Sequence, residues 1–148
     1  MKTILSLALV SLVAAAPAFA GTATGFFIVT ARVEAACAIT QSPTMTFQSV
    51  DSAKGSSMQT AAGVTCTKGT AATVHLSGPT ALSDGKGNTL PYTITDANGQ
   101  VINAMQGPSF TSATGLAATN VPMTVRIPAG SRVPDGSYSG AVLMTVDF

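Results

Sequence analysis

The 148-residue chain has no tryptophan, a single histidine, two tyrosines and only 9% charged residues. Each shortage excludes something. The one histidine, His75, is the only residue around which a Ser-His-Asp triad could be built, and its neighbours place it on the polar, solvated face of a strand. No Gly-x-Ser-x-Gly elbow accompanies it. Glu34, Asp51, Asp84, Asp96, Asp135 and Asp147 are the whole stock of carboxylates, and Asp84, Asp96 and Asp135 stand shortly before a glycine, as turn residues do. Two cysteines and one histidine are too few for a zinc site, and the aspartate spacing of a calcium loop is missing. Asp84-Gly-Lys-Gly-Asn88 lacks the Gly-Lys-Ser/Thr ending of a phosphate loop and reads as a hairpin loop. The residues therefore describe a non-enzyme with no cofactor, no metal and no small-molecule substrate.

The first 20 residues carry one basic side chain, Lys2, then an apolar run from Ile4 to Ala16 and Ala18-Phe19-Ala20 before Gly21. This is the layout of a secretory signal peptide, short for a membrane span. Once Lys2 leaves with it, six basic side chains face six acidic ones. A neutral mature chain without charged runs is not built to bind nucleic acid or anionic membrane. Export also places Cys37 and Cys66 in an oxidising compartment, where two cysteines have one possible pairing. A redox pair is usually closer in sequence, so a structural disulfide is expected. It would close a loop of 28 residues and stabilise the fold by roughly 3–4 kcal/mol in the chain-entropy account.

Short apolar-periodic stretches separated by turn clusters mark an antiparallel all-β chain. Phe27, Val29, Ala31 and Val33 alternate with Ile28, Thr30, Arg32 and Glu34. Met45-Thr-Phe47 is a second short segment, followed by the polar loop from Asp51 to Ser57. Gln59 to Cys66 and Ala72 to Ser77 come next, with a hairpin turn expected at Thr67–Thr70. Leu90 to Thr95 and Val101 to Met105 flank the Asn98-Gly99 turn. Residues 106–120 read as loop. Val121, Met123, Val125 and Ile127 alternate strictly, and Pro122 and Pro128 mark either an edge strand or positions near the strand's ends. An eleven-residue strand is expected from Tyr138 to Phe148, with Tyr138, Gly140, Val142, Met144, Val146 and Phe148 on one face. Eight prolines and 14 glycines interrupt any helix beyond the leader. The expectation is one sandwich of about seven strands plus an N-terminal extension.

The terminal strands are the informative pair. The alternating stripe precedes the first cysteine, outside the disulfide-closed part of the fold, and needs a sheet edge to pair with. The last expected strand runs to Phe148, and a sandwich ending in this way is expected to lack the strand that would cover its core. The stripe either pairs within its own domain or fills another subunit's groove, and the pattern alone leaves both open.

Four features now carry a resemblance. They are the leader followed by an alternating strand; Cys37-Ala-Ile39 directly after it; Gly63-Val-Thr-Cys66; and the ending from Pro134 through Gly136-Ser-Tyr138 to Phe148. The chain resembles spore coat U-domain proteins, the family that supplies subunits of archaic (Csu-type) chaperone–usher pili. The resemblance implies an all-β, incomplete immunoglobulin-like sandwich, the pilin fold, lacking its seventh strand. It divides the chain into a signal peptide (1–20), an N-terminal donor-strand extension (21–34) and a pilin domain (35–148).

The same resemblance implies that a periplasmic chaperone completes the sandwich temporarily and that an outer-membrane usher exchanges it for the next subunit's N-terminal strand. Phe27, Val29, Ala31 and Val33, at 10, 8, 6 and 4 residues before Cys37, would be the donor residues. Tyr138, Val142, Met144, Val146 and Phe148 would line the C-terminal strand held by the chaperone. The implied product is a head-to-tail homopolymer at the cell surface, serving adhesion and biofilm formation. A non-fibrous coat protein and a monomeric ligand-binding sandwich are the alternatives. Against the latter, Tyr92 and Tyr138 offer few aromatic platforms for sugars.

Overall fold

Nine short strands account for all regular structure among the described residues, 21–51 and 53–148 of the computed structural model. The leader expected over 1–20 lies outside them. The chain divides into two units, Met1–Arg32 and Val33–Phe148. In the first unit, residues 21–32 form no strand or helix and are exposed throughout. Every strand belongs to the second.

That second unit is two open antiparallel sheets and a hairpin. β1 (Cys37–Gln41), β2 (Ser56–Cys66), β8 (Thr119–Ile127) and β6 (Thr93–Thr95) form one sheet in the order β1-β2-β8-β6. β7 (Ser109–Thr111), β3 (Ala71–Ser77) and β9 (Leu143–Asp147) form the other, in the order β7-β3-β9. β4 (Ala81–Ser83) and β5 (Thr89–Pro91) pair as a separate hairpin. Alternation in the sequence explains which faces meet. Ala62, Val64 and Cys66 of β2 and Val121, Met123 and Val125 of β8 turn inward against Ala72, Val74 and Leu76 of β3. The Cys37–Cys66 disulfide closes the paired first and last positions of β1 and β2.

Several sequence expectations are corrected. The turn Thr67–Thr70 forms, with Gly69 at φ 81° and the Thr70 N–H donating to Thr67 O at 3.0 Å. It does not make a hairpin. β2 pairs with β1 and β8, β3 pairs with β7 and β9, and the turn carries the chain from one sheet to the other. Of the two positions its prolines allow, β8 takes the second: it is central, with Pro122 near its start and Pro128 just past its end. Its Pro122 is tolerated because β6 reaches only Thr124, Val125 and Arg126, so at Pro122 only β2 is alongside. Leu90 to Thr95 is two strands, β5 and β6, separated at Tyr92 where the chain changes sheets.

The eleven-residue final strand is shortened to Leu143–Asp147, because Ser139 is engaged elsewhere. It exchanges backbone hydrogen bonds of 2.9 Å with Ser83 of the β4–β5 hairpin before the chain reaches β3. Met45-Thr-Phe47 is not a strand, although both apolar side chains pack on the core. Val101 makes only a bridge to Thr95, while Ile102 is buried. Residues 106–120, expected as loop, contain β7 and the first two residues of β8. Gly107 brings this region onto β3 so closely that a Cβ there would collide with the Val74 carbonyl.

Candidate functional site

Six strands, β1, β4, β5, β6, β7 and β9, have a single neighbour, and β1 and β9 are the two edges that flank an opening in the sandwich. β1 pairs only with β2, and β9 only with β3. Such an edge presents unpaired backbone N–H and C=O groups. Between them the sandwich has a cleft of about 530 Å³. One rim is the chain that continues β1, where Pro43, Met45 and Phe47 point inward at every second residue. The other rim is the approach to β9, from Gly140 to Met144. Leu76, Ile94, Met123, Val125 and Ile127 form the floor. An adjoining cleft of about 780 Å³ shares Met45, Phe47, Leu82, Ile127 and Gly140 and extends to Val133–Tyr138. The groove is thus an apolar trough cut into the core.

The two tyrosines along it are tied to backbone. Tyr92 Oη donates to Pro79 O at 2.6 Å, and burial raises the phenol above its ordinary 10.0. Tyr138 Oη donates to Pro134 O at 2.9 Å. Desolvation raises the Tyr138 phenol too, with the charges of Asp84 and Asp135 acting in the same direction. Gly140 leaves room for Leu82, since a Cβ at 140 would approach the Leu82 Cδ2 to 3.1 Å. The trough is suited to apolar side chains and an extended backbone.

The C-terminal residues singled out from the sequence line this trough unevenly. Met144 and Val146 are half-buried and pack on the core, Val142 and Phe148 are exposed, and Tyr138 sits along the adjoining cleft. The N-terminal stripe shows the opposite burial. Phe27 is 87% exposed, Val29 78% and Val33 81%, with Ala31 exposed as well. Within the described residues the stripe pairs with no strand.

Sequence reasoning missed Pro43, Met45 and Phe47 as a rim. Their period of two was present in the sequence, hidden by the proline and by the absence of a ladder. His75 is half-buried rather than solvated. Its Nε2 lies 3.4 Å from Asp147 Oδ2 on β9, and its Nδ1 is buried without a protein partner. Among the described residues no three His, Cys, Asp or Glu side chains converge as metal ligands do.

Residues 23–145 match the Spore Coat Protein U domain. The chain belongs to that family. Most of the second unit and the exposed stripe fall within the match. No curated protein sequence matches the chain. Among solved structures, it is similar to a chain in the crystal structure of the CsuC–CsuE chaperone–tip adhesion subunit pre-assembly complex, from archaic chaperone–usher Csu pili of Acinetobacter baumannii. The TM-score is 0.53 at 20% identity, over 78% of this chain and 40% of that one. The U-domain chain therefore spans about two fifths of that relative's length and shares its fold. All-β architecture, open sheets and a disulfide joining β1 to β2 agree with the incomplete immunoglobulin-like sandwich expected of the family.

Proposed function

We propose that this U-domain protein is a structural, non-enzymatic subunit of a secreted surface pilus, assembled by a chaperone and an usher through donor-strand exchange. One observation carries the reading. A single chain holds both an open apolar groove between two unpaired strand edges and an exposed stripe of apolar residues with strand periodicity. Seven residues in extended form reach roughly 23 Å, long enough to run along both rims. Burying Phe27, Val29 and Val33 in a neighbour would contribute roughly 1.5–3 kcal/mol each, and pairing with β1 and β9 would satisfy their free edges.

Groove and stripe belong to the same chain but serve different copies, so the contact is head-to-tail and propagates without closing. In this reading residues 1–20 direct export, 21–34 are the donor extension and 35–148 the acceptor domain. The approach to β9, with Tyr138, Val142, Met144, Val146 and Phe148, is where the periplasmic chaperone would hold the groove open. The CsuC–CsuE complex, a chaperone with a tip adhesion subunit, supports that choice of partner. The Cys37–Cys66 disulfide supports passage through an oxidising compartment. Adhesion and biofilm formation would follow from the fibre.

The test is multimerisation of the exported chain. Heat- and SDS-resistant ladders are expected from the wild type and should vanish on deletion of 22–33. A mature protein that is monomeric and stable without a chaperone would favour a ligand-binding sandwich instead. Cell-surface electron microscopy showing an amorphous layer without fibres would favour a coat protein.

A further inference from the structure

Residues 34–36, between the last residue of the stripe and the first cysteine, are gripped by one side chain. Thr67 Oγ1 accepts the Ala36 N–H at 3.2 Å. The same hydroxyl donates its single proton towards the carbonyl oxygens of Glu34 and Ala36, at 3.3 and 3.4 Å. The Thr67 N–H donates to Ala36 O at 2.9 Å. Thr67 is itself anchored. It follows Cys66, which is bonded to Cys37, and its turn is tied down by the Gly69 N–H donating to Ser112 O at 2.8 Å. Beyond it, Ser112 Oγ donates to Cys66 O at 3.0 Å in a buried position. The grip therefore acts from a rigid part of the fold on a segment that belongs to no strand.

We propose that Thr67 is a positioning residue for the joint between successive subunits, fixing the direction in which the N-terminal segment leaves the body. The inference rests on the pilus reading above. If Phe27 to Val33 lie in a neighbour's groove, residues 34–36 are the only covalent tether between two rigid bodies. Fully extended, the path from Val33 to Cys37 is at most roughly 14 Å. Swing in so short a tether comes from a handful of backbone dihedrals, and hydrogen bonds at both Glu34 and Ala36 restrain most of them. A gripped tether makes the joint stiff without adding anything to the groove. Valine at 67 keeps the branched shape of threonine while removing donor and acceptor, and serine keeps the hydroxyl.

Fibres sheared from cells producing the wild type, Thr67→Val and Thr67→Ser chains test this by electron microscopy. The readout is the spread of angles between successive subunits, with subunit melting temperature measured alongside. All three chains should form fibres in similar amounts. The angular spread should rise about twofold in Thr67→Val, because each lost hydrogen bond is worth more than thermal energy, and should return to the wild-type value in Thr67→Ser. Should valine upset the turn and unfold the subunit, Thr67→Ala takes its place with the same expected widening. An unchanged spread in a folded variant would overturn the joint role and leave the pilus reading standing. Loss of fibres in a folded Thr67→Val chain would also overturn it, by assigning the hydroxyl to assembly itself. Absence of fibres in the wild type would overturn the pilus reading, and this inference with it.

Discussion

Two segments of this chain carry the same pattern and meet opposite fates. Val121, Met123, Val125 and Ile127 alternate with polar or small residues, form β8, and are buried. Phe27, Val29, Ala31 and Val33 also recur at every second position, interrupted only by the apolar Ile28, yet they form no strand and are exposed. Period-two alternation specifies which residues share a face, not whether a partner exists to cover it. β8 has β2 alongside over its whole length and β3 across the core. The stripe has neither among the described residues of its own chain, and in the proposed fibre it finds both in another.

The sharpest way to break that comparison is Val29→Asp. If the stripe serves a second copy, multimer ladders should disappear altogether, while the melting temperature of the chaperone-bound subunit stays at the wild-type value. Normal fibres from this variant would sink the donor assignment. A matched pair of isoleucines comes next. Ile127 is 1% exposed and Ile28 90% exposed. Ile127→Ala should cost roughly 3–5 kcal/mol in denaturant unfolding of the subunit, and Ile28→Ala no more than about 0.5 kcal/mol. Comparable losses would mean that the N-terminal segment carrying the stripe packs in its own domain's core.

Removing the disulfide by Cys37→Ala with Cys66→Ala should cost roughly 3 kcal/mol, measured the same way, through the loop it closes. The smallest effect concerns Asp84, in the β4–β5 loop. The Asn88 side-chain amide and the backbone N–H of Lys86 hold its carboxyl below the ordinary 3.8, against a lesser opposing pull from desolvation. A carboxyl depressed by folding contributes its stability above the unfolded value and loses it as pH falls through the folded one. Wild type and Asp84→Ala should therefore differ most above about pH 4 and converge in melting temperature below the ordinary carboxylate value.

Much of the second unit was legible because its information is local. The strict alternation of β8, the Asn98-Gly99 turn and the single possible cysteine pairing each follow from neighbouring residues or from counting. The groove was only half legible. Its C-terminal rim could be read from alternation at Val142 and Met144, but Met45 and Phe47 looked like a weak strand rather than an opposite wall. Pairing partners were not legible at all. The Thr67–Thr70 turn has the residues of a hairpin and instead crosses between sheets, because Val74 and Leu76 gain more by facing β2 and β8 across the core than by lying beside them. His75, set on the polar face by its neighbours, is half-buried because β9 brings Asp147 beside it.

By itself, the sequence determined an all-β chain, its turn positions, its disulfide and two apolar stripes looking for cover, since all of these depend on short-range chemistry and on composition. The tertiary structure alone decided that β8 is central, that β1 and β9 end as open edges, and that the core between them is left as a trough. Those outcomes depend on which distant segments pack together to fill the available volume, and a strand records its faces in its sequence but not its neighbours.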